Sequence, residues 1–432
     1  MQHKQKNGGV LARLKQSRVL KALGPGLITG AADDDPSGIA TYSQAGAQFG
    51  FAITWTLLFT YPLMTVIQEI SALIGRTTGR GIAANLRRHY PNWILQLIVF
   101  LIVIANAINI GADLGAMADA VTLLIGGPAL AYVVVFGLVC AGLEVFIPYN
   151  RYVSVLRWLT FALFAYFGTV LVVKVPWGEA IKGFLVPTLS SDADFWTVVV
   201  AIFGTTISPY LFIWQASQEV EEIDNVPERQ PLTEAPQQGK SAISRIRVDT
   251  FIGMAFSNLV ALAIMFTTAA TLNAAGTTDI QTSSQAAEAL KPIAGPFAFT
   301  IFALGVIGTG LLAVPVLAGS AAYAICEARK WPVGLARKPL EARAFYATIV
   351  IATLSGVVIT FSPLDPIKAL FWSAVINGVV SVPVMTMMML IGSNATIMKD
   401  FRISGALKYI GWLATAVMLA ASAGMIITSM MS

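Results

Sequence analysis

Gly30-Ala31-Ala32-Asp33-Asp34-Asp35-Pro36-Ser37-Gly38 sets three carboxylates, a proline and a glycine in the middle of an apolar block running from about residue 25 to 49. A continuous membrane helix avoids such a string. Proline removes a helical hydrogen bond and clashes with the preceding turn, leaving carbonyls that lipid cannot satisfy. Backbone of this kind survives at membrane depth only where it lines a cavity or the protein interior. A second apolar block, 195–216, is interrupted in the same way by Gly204-Thr205-Thr206-Ile207-Ser208-Pro209, with hydroxyls in place of carboxylates.

Everything around these two breaks reads as membrane. The 432 residues are 56% hydrophobic and 12% charged, against about 25% charged in a soluble domain. Apolar blocks separated by polar breaks give eleven segments: 25–49, 51–74, 93–125, 129–147, 152–173, 195–216, 249–272, 295–325, 344–361, 367–392 and 405–430. Most approach or exceed the ~20 residues that cross a bilayer, and the short alternating runs of a transmembrane barrel are not seen. The expected fold class is an all-α membrane protein with eleven transmembrane helices.

With the basic stretch 1–24 in the cytoplasm, only Lys174, Lys182, Lys291 and Lys368 of the Lys and Arg residues fall outside, as the positive-inside rule asks. The C-terminus is then external, and a bacterial inner (plasma) membrane is the expected location. No cleavable signal sequence follows the basic start. The net charge of +5 follows membrane side, so nucleic acid is not expected. The polar stretch 217–248 reads as a mobile cytoplasmic loop. Its acidic run Glu219, Glu221, Glu222 and Asp224 either gathers cations at a mouth or is a solvated helix end.

Other chemistries lack their signatures. Cys140 and Cys326 are isolated thiols in apolar blocks and read as small core residues. The only histidines, His3 and His89, lie in expected cytoplasmic stretches. No His-Glu-x-x-His and no nucleophile paired with a base is present, so the chain is not expected to be an enzyme. No Gly-Lys-Ser/Thr follows Gly24-Pro25-Gly26, so ATP is not expected. No cofactor is expected either.

The two breaks lie in segments one and six, five apart. Two inverted repeats, 25–173 and 195–392, followed by 405–430, would set the breaks against each other near the midplane, where transporters of this architecture bind substrate. Asp35 is the leading site residue. A carboxylate at the bilayer centre costs on the order of 2.5 to 3.5 kcal/mol and needs a partner. No Lys or Arg lies in segment six or in the core of segments one to three, which leaves a bound cation. Asp35, backbone carbonyls, Thr205, Ser208 and retained water would suit a hard ion such as Mg²⁺ or Mn²⁺. Asp33 and Asp34 equally suit helix caps or a local turn.

At these residues the chain resembles the Nramp family of divalent metal transporters. Gly24-Pro25-Gly26, Asp35-Pro36-Ser37-Gly38, Ala40-Thr41 and Gln44-Ala45-Gly46-Ala47-Gln48-Phe49-Gly50 follow the family's first-helix pattern at its spacing. Weaker similarities run through Asp113-Leu114, Arg245 to Asp249, Ala318-Gly319 and Asp365-Pro366. The resemblance implies an eleven-helix, LeuT-like 5+5 inverted repeat with helices 1 and 6 broken at the midplane. It also implies a metal site of Asp35, the Ala32 and Thr205 carbonyls, Gly38 where the family has Asn, and Ser208 where it has Met. Asp34, Tyr210 and Asp113 are possible accessory residues.

The departures narrow the function. Losing a thioether and an amide ligand leaves a wider, all-oxygen site suited to an ion that keeps some of its waters, the pattern of the Nramp-related magnesium transporters. Tyr210 stands where the family has a histidine and Ala116 where it has an acid, although Asp113, Asp119 and Glu144 remain as possible proton carriers. The expected function is alternating-access transport of Mg²⁺ and Mn²⁺ as partly hydrated ions by a monomer in the lipid bilayer, without proton coupling. The alternatives are a proton-coupled Mn²⁺/Fe²⁺ importer of the ordinary Nramp kind and a Na⁺-coupled amino-acid transporter of the same fold.

Overall fold

The computed structural model describes residues 29, 30, 32–147, 162–361 and 365–431, and all regular structure among them is helical. The basic start 1–24, His3, Gly24-Pro25-Gly26, Arg151 and Arg157 lie outside the described residues. The main helices are α1 (Pro36–Phe49), α2 (Trp55–Thr78), α3 (Ile82–His89), α4 (Asn92–Ile125), α5 (Ala129–Phe146), α6 (Phe164–Val172) and α7 (Trp177–Leu185). After these come α8 (Ala193–Thr206), α9 (Pro209–Asn225), α10 (Gly239–Thr268), α11 (Ala298–Arg329), α12 (Arg343–Thr360), α13 (Pro366–Ser393) and α14 (Gly405–Met431).

Among the described residues, nine helical runs are long and apolar enough to cross a membrane. They coincide with nine of the eleven expected segments. The described parts of the first and fifth segments are chiefly α1 and α6. Large apolar side chains turned outward, such as Phe100 (62% exposed), Leu138 (61%) and Leu171 (83%), are what a lipid-facing surface requires.

Both expected breaks are present. Residues 29, 30, 32 and 33 are helical, Asp34 and Asp35 are not, and α1 restarts at Pro36. Asp35 is its N-cap, and proline at the first helical position gives up an N–H that would have had no intrahelical partner. The second break falls at Ile207 and Ser208, between α8 and α9, with Pro209 opening α9 in the same manner. Long α4 runs past both breaks and packs on α11, α12 and α13. Gly204, just before the second break, sits against the Ala374 carbonyl of α13 with no room for a β-carbon, the close backbone approach that small residues permit in membrane bundles.

The stretch 217–248, expected to be a mobile loop, is helical at both ends, since α9 continues to Asn225 and α10 begins at Gly239. The connector between them is tied down. Leu232 and Thr233 donate to the Arg76 and Thr77 carbonyls, each at 3.2 Å, and the Arg76 guanidinium reaches the Gln230 carbonyl and, at 2.7 Å, Gln238. Most of the acidic run is paired as well. Glu219 meets Arg245 at 2.5 Å, Glu222 pairs with Arg229 and Arg245, and Glu221 accepts from Tyr323 and the Leu335 N–H. Composition signals exposure, but Arg76, Thr77, Tyr323 and Leu335, which help to order this segment, come from distant parts of the chain. Cys140 and Cys326 are buried free thiols.

Candidate ion site between the two helix breaks

Asp35 is 1% exposed and uses its two oxygens differently. Oδ1 accepts from the Ser37 hydroxyl at 2.6 Å and the Gly38 N–H at 2.8 Å, which caps α1. Oδ2 accepts from Asn109 Nδ2 at 3.2 Å and from the Tyr210 hydroxyl at 3.4 Å. All four donors are neutral, and no Lys or Arg among the described residues pairs with this carboxylate. The amino-terminal end of α1 offers it a partial positive charge, while the second oxygen faces the space between the breaks.

The Tyr210 hydroxyl also lies 3.1 Å from the Ala32 carbonyl. The Tyr210 hydroxyl thus sits within reach of both a carboxylate oxygen and a carbonyl freed by the end of a half-helix, two donor types from which broken helices build cation sites. Gly38 closes the other wall. A β-carbon there would stand 3.1 Å from Thr205 Oγ1 and 3.3 Å from Tyr42 Cε2, so the first break touches the second through a residue with no side chain. Ser208 turns back on its own break, its hydroxyl donating to the Gly204 carbonyl at 2.7 Å and the Thr205 carbonyl at 2.9 Å. It steadies the carbonyls at the end of α8 and makes no hydrogen bond to Asp35.

Behind Asp35 lies a polar chain that sequence reading missed. Asn109 on α4 donates to Asp113 Oδ2 at 3.1 Å as well as to Asp35, and accepts from Asn377 of α13 at 3.0 Å. Two carboxylates on one amide nitrogen fix which way that amide points. Its signal in the sequence was slight: an amide one helical turn before Asp113 in an otherwise apolar run.

Asp33 and Asp34 go elsewhere. Both reach Ser257 of α10, at 2.5 and 3.1 Å, and each keeps one buried oxygen with no hydrogen-bond partner. The three successive aspartates do not converge, and among the described residues no three carboxylates, imidazoles or thiols gather as a metal cage. His89, the described histidine, ends α3 at an exposed position. Burial, then Arg88 and Arg80, push its imidazole below the ordinary histidine range.

A cavity of about 660 Å³ opens at the far end of α1, with Ala40, Gln44, Asp194, Asp279 and Lys368 among its walls. Ala40, in the second turn of α1, is the lining residue nearest in sequence to the first break.

The family model for natural resistance-associated macrophage protein-like proteins, Nramp, matches residues 26–428. The chain belongs to the Nramp family. It is 26% identical over 422 residues to proteins named divalent metal cation transporter MntH from two strains of Klebsiella pneumoniae, covering 95% of this chain and 95% of each relative. Among solved structures it is similar to the manganese transporter of Eremococcus coleocola. One structure, containing an aromatic bis-isothiourea substituted compound, gives a TM-score of 0.72 at 17% identity, and a mutant of the same transporter gives 0.73 at 18%. Both comparisons cover 97% of this chain and 88% of the other. At that identity the likeness establishes the fold.

Nramp membership places the chain among multi-pass membrane transporters rather than enzymes, and gives its departures from the family pattern a location. Gly38, Ser208 and Tyr210 all belong to the two breaks. Tyr210, at the position of the family's histidine, is the residue whose hydroxyl touches both Asp35 and Ala32. Ala116, at the position of an acid, is a buried residue of α4 one turn beyond Asp113.

Proposed function

We propose that this Nramp protein carries divalent metal cations across a bacterial plasma membrane by alternating access, with Mg²⁺ and Mn²⁺ moving as partly hydrated ions and without proton coupling. The observation that carries this reading is the neutral surroundings of Asp35. A buried carboxylate with no cationic side chain is costly alone, and a cation between Asp35 Oδ2 and the Ala32 carbonyl removes that cost. Thr205 completes an oxygen-only donor set, and Gly38 adds no side-chain ligand that would have to replace one of the ion's waters. Mg²⁺ dehydrates reluctantly and takes few protein ligands, and none of these donors is a thioether, the ligand that favours softer ions.

Asn109 stands between Asp35 and Asp113 and speaks against coupling. A proton leaving Asp35 for Asp113 would pass through an amide, which donates and accepts hydrogen bonds but does not carry a proton onward at ordinary pH. The vestibule beside Ala40 supports ion approach from the end away from the Arg76 to Gln238 contacts, the external end if the basic stretches are cytoplasmic. A 5+5 inverted repeat fits the five-segment spacing of the breaks, and the chain acts as a monomer.

The test is Mg²⁺ and Mn²⁺ entry into proteoliposomes carrying wild type or Asp35→Ala, with internal ion and pH indicators read together. Entry of both ions without a pH change, abolished by the substitution, is the expected result. Mn²⁺ entry with acidification and no Mg²⁺ flux returns the protein to the proton-coupled importers. Amino-acid uptake that survives Asp35→Ala points to the third class.

A further inference from the structure

Glu144 lies near the end of α5, away from the ion site. It is 5% exposed, and neither carboxylate oxygen has a hydrogen-bond partner. It lines a cavity of about 240 Å³ whose opposite wall includes Arg337, Lys338 and Tyr346. The Tyr346 hydroxyl is already committed, donating to the carbonyls of Leu335 at 3.3 Å and Arg337 at 2.9 Å, which holds that wall in place. Arg337 and Lys338 are exposed and make no ion pair among the described residues. Beside the cavity, Phe146 is 83% exposed and Leu340 77%.

A buried carboxylate with both oxygens free and two free cations across a small cavity together ask for a ligand bearing both signs of charge. The carboxylate wants N–H donors and the guanidinium and ammonium want an anion such as phosphate. The neighbouring apolar side chains supply a surface for hydrocarbon, and basic pockets at helix ends are where lipid headgroups bind. We propose that this cavity holds the headgroup of an ethanolamine phospholipid, its ammonium on Glu144 and its phosphate on Arg337 and Lys338. A choline headgroup has no N–H to donate and leaves Glu144 unsatisfied. An anionic glycerol headgroup meets the two cations but brings no cation to the carboxylate.

The test is native mass spectrometry of the full-length protein in detergent with phosphatidylethanolamine, phosphatidylcholine or phosphatidylglycerol of matched chains. Wild type should retain the ethanolamine lipid about tenfold more tightly than the choline lipid, the size of one charge-assisted hydrogen bond. Glu144→Gln, nearly isosteric, should erase that preference, and Arg337→Gln with Lys338→Gln should weaken both lipids about tenfold. Equal retention of ethanolamine and choline lipids by wild type overturns the proposal without any variant. So does an unchanged preference in Glu144→Gln. Displacement of the lipid by O-phosphoethanolamine at equal concentration would show that the acyl chains contribute nothing and would overturn the lipid assignment.

Discussion

Asn109 donates from one amide nitrogen to Asp35, 3.2 Å away on the broken first helix, and to Asp113, 3.1 Å away on its own helix. The amide holds Asp35 Oδ2 in place and brings no charge of its own to the carboxylate. Asn109→Ala should raise the KM for Mg²⁺ and Mn²⁺ entry by about 10 to 100-fold, the usual cost of losing an outer-shell partner of a metal ligand, with a smaller change in maximal rate. Flux measured in proteoliposomes over a range of ion concentrations separates the two, and an unchanged KM removes Asn109 from the site.

Asp35→Asn keeps a side chain that can still accept from the Gly38 N–H and so cap α1. Transport should fall to the background of protein-free vesicles while thermal unfolding in detergent changes little. Retention of more than about a tenth of wild-type flux, well under the loss expected when a buried ion loses its charged partner, would show that the charge on Asp35 is dispensable.

Tyr210→His puts an imidazole beside Asp35 Oδ2. With an unperturbed pKa of about 6.5, it is neutral at pH 8 and increasingly protonated below pH 6.5, where it pairs with Asp35 and repels the incoming cation. Entry through the variant should fall as the external pH drops from 8 to 5.5, whereas wild type, lacking that group, should change little over the same range. The comparison requires only matched pH series.

Gly38→Asn together with Ser208→Met restores side chains at the two positions where the Nramp pattern has amide and thioether ligands. A β-carbon at Gly38 meets Thr205 Oγ1 at 3.1 Å, so Thr205 must give by a few tenths of an ångström to admit the new side chain. Mg²⁺ entry should fall while Mn²⁺ entry persists and Cd²⁺, which favours sulfur, gains entry. Competition for entry between Mg²⁺ and Cd²⁺ reads the shift directly. Unaltered Mg²⁺ entry would show that neither position sets selectivity.

Ser257→Ala removes the only hydroxyl hydrogen-bonded to Asp33 and Asp34 among the described residues. Leaving those buried oxygens unsatisfied should cost about 1 to 3 kcal/mol, seen as a lower unfolding temperature in detergent. The ion affinity of the folded fraction should stay near wild type, since neither carboxylate is hydrogen-bonded to Asp35.

Pro36 and Pro209 made both breaks legible, because a proline in an apolar run has few places to go in a membrane. The polarity of each break singled out Asp35 and Thr205 as the residues to follow. What the sequence hid depends on rotation and on partners far along the chain. Successive residues of a helix point about 100° apart, so Asp33 and Asp34 could precede Asp35 and still face Ser257 on α10. Asn109 is one of several polar residues in segment three, and only packing brings it against the first break. Ser208 sat at a ligand position, yet its hydroxyl closes the end of its own half-helix. The polar loop misled most, since the Arg76 contacts that order it leave no trace in its composition.

The double use of Asp35 has a mechanical side. One oxygen is the clamp that starts a helix, and in the proposed site the other is the hand held out to the cargo. A pull on the ion is thereby a pull on the first turn of α1, so that arrival and departure of the cargo can be felt along the whole rod without any separate lever.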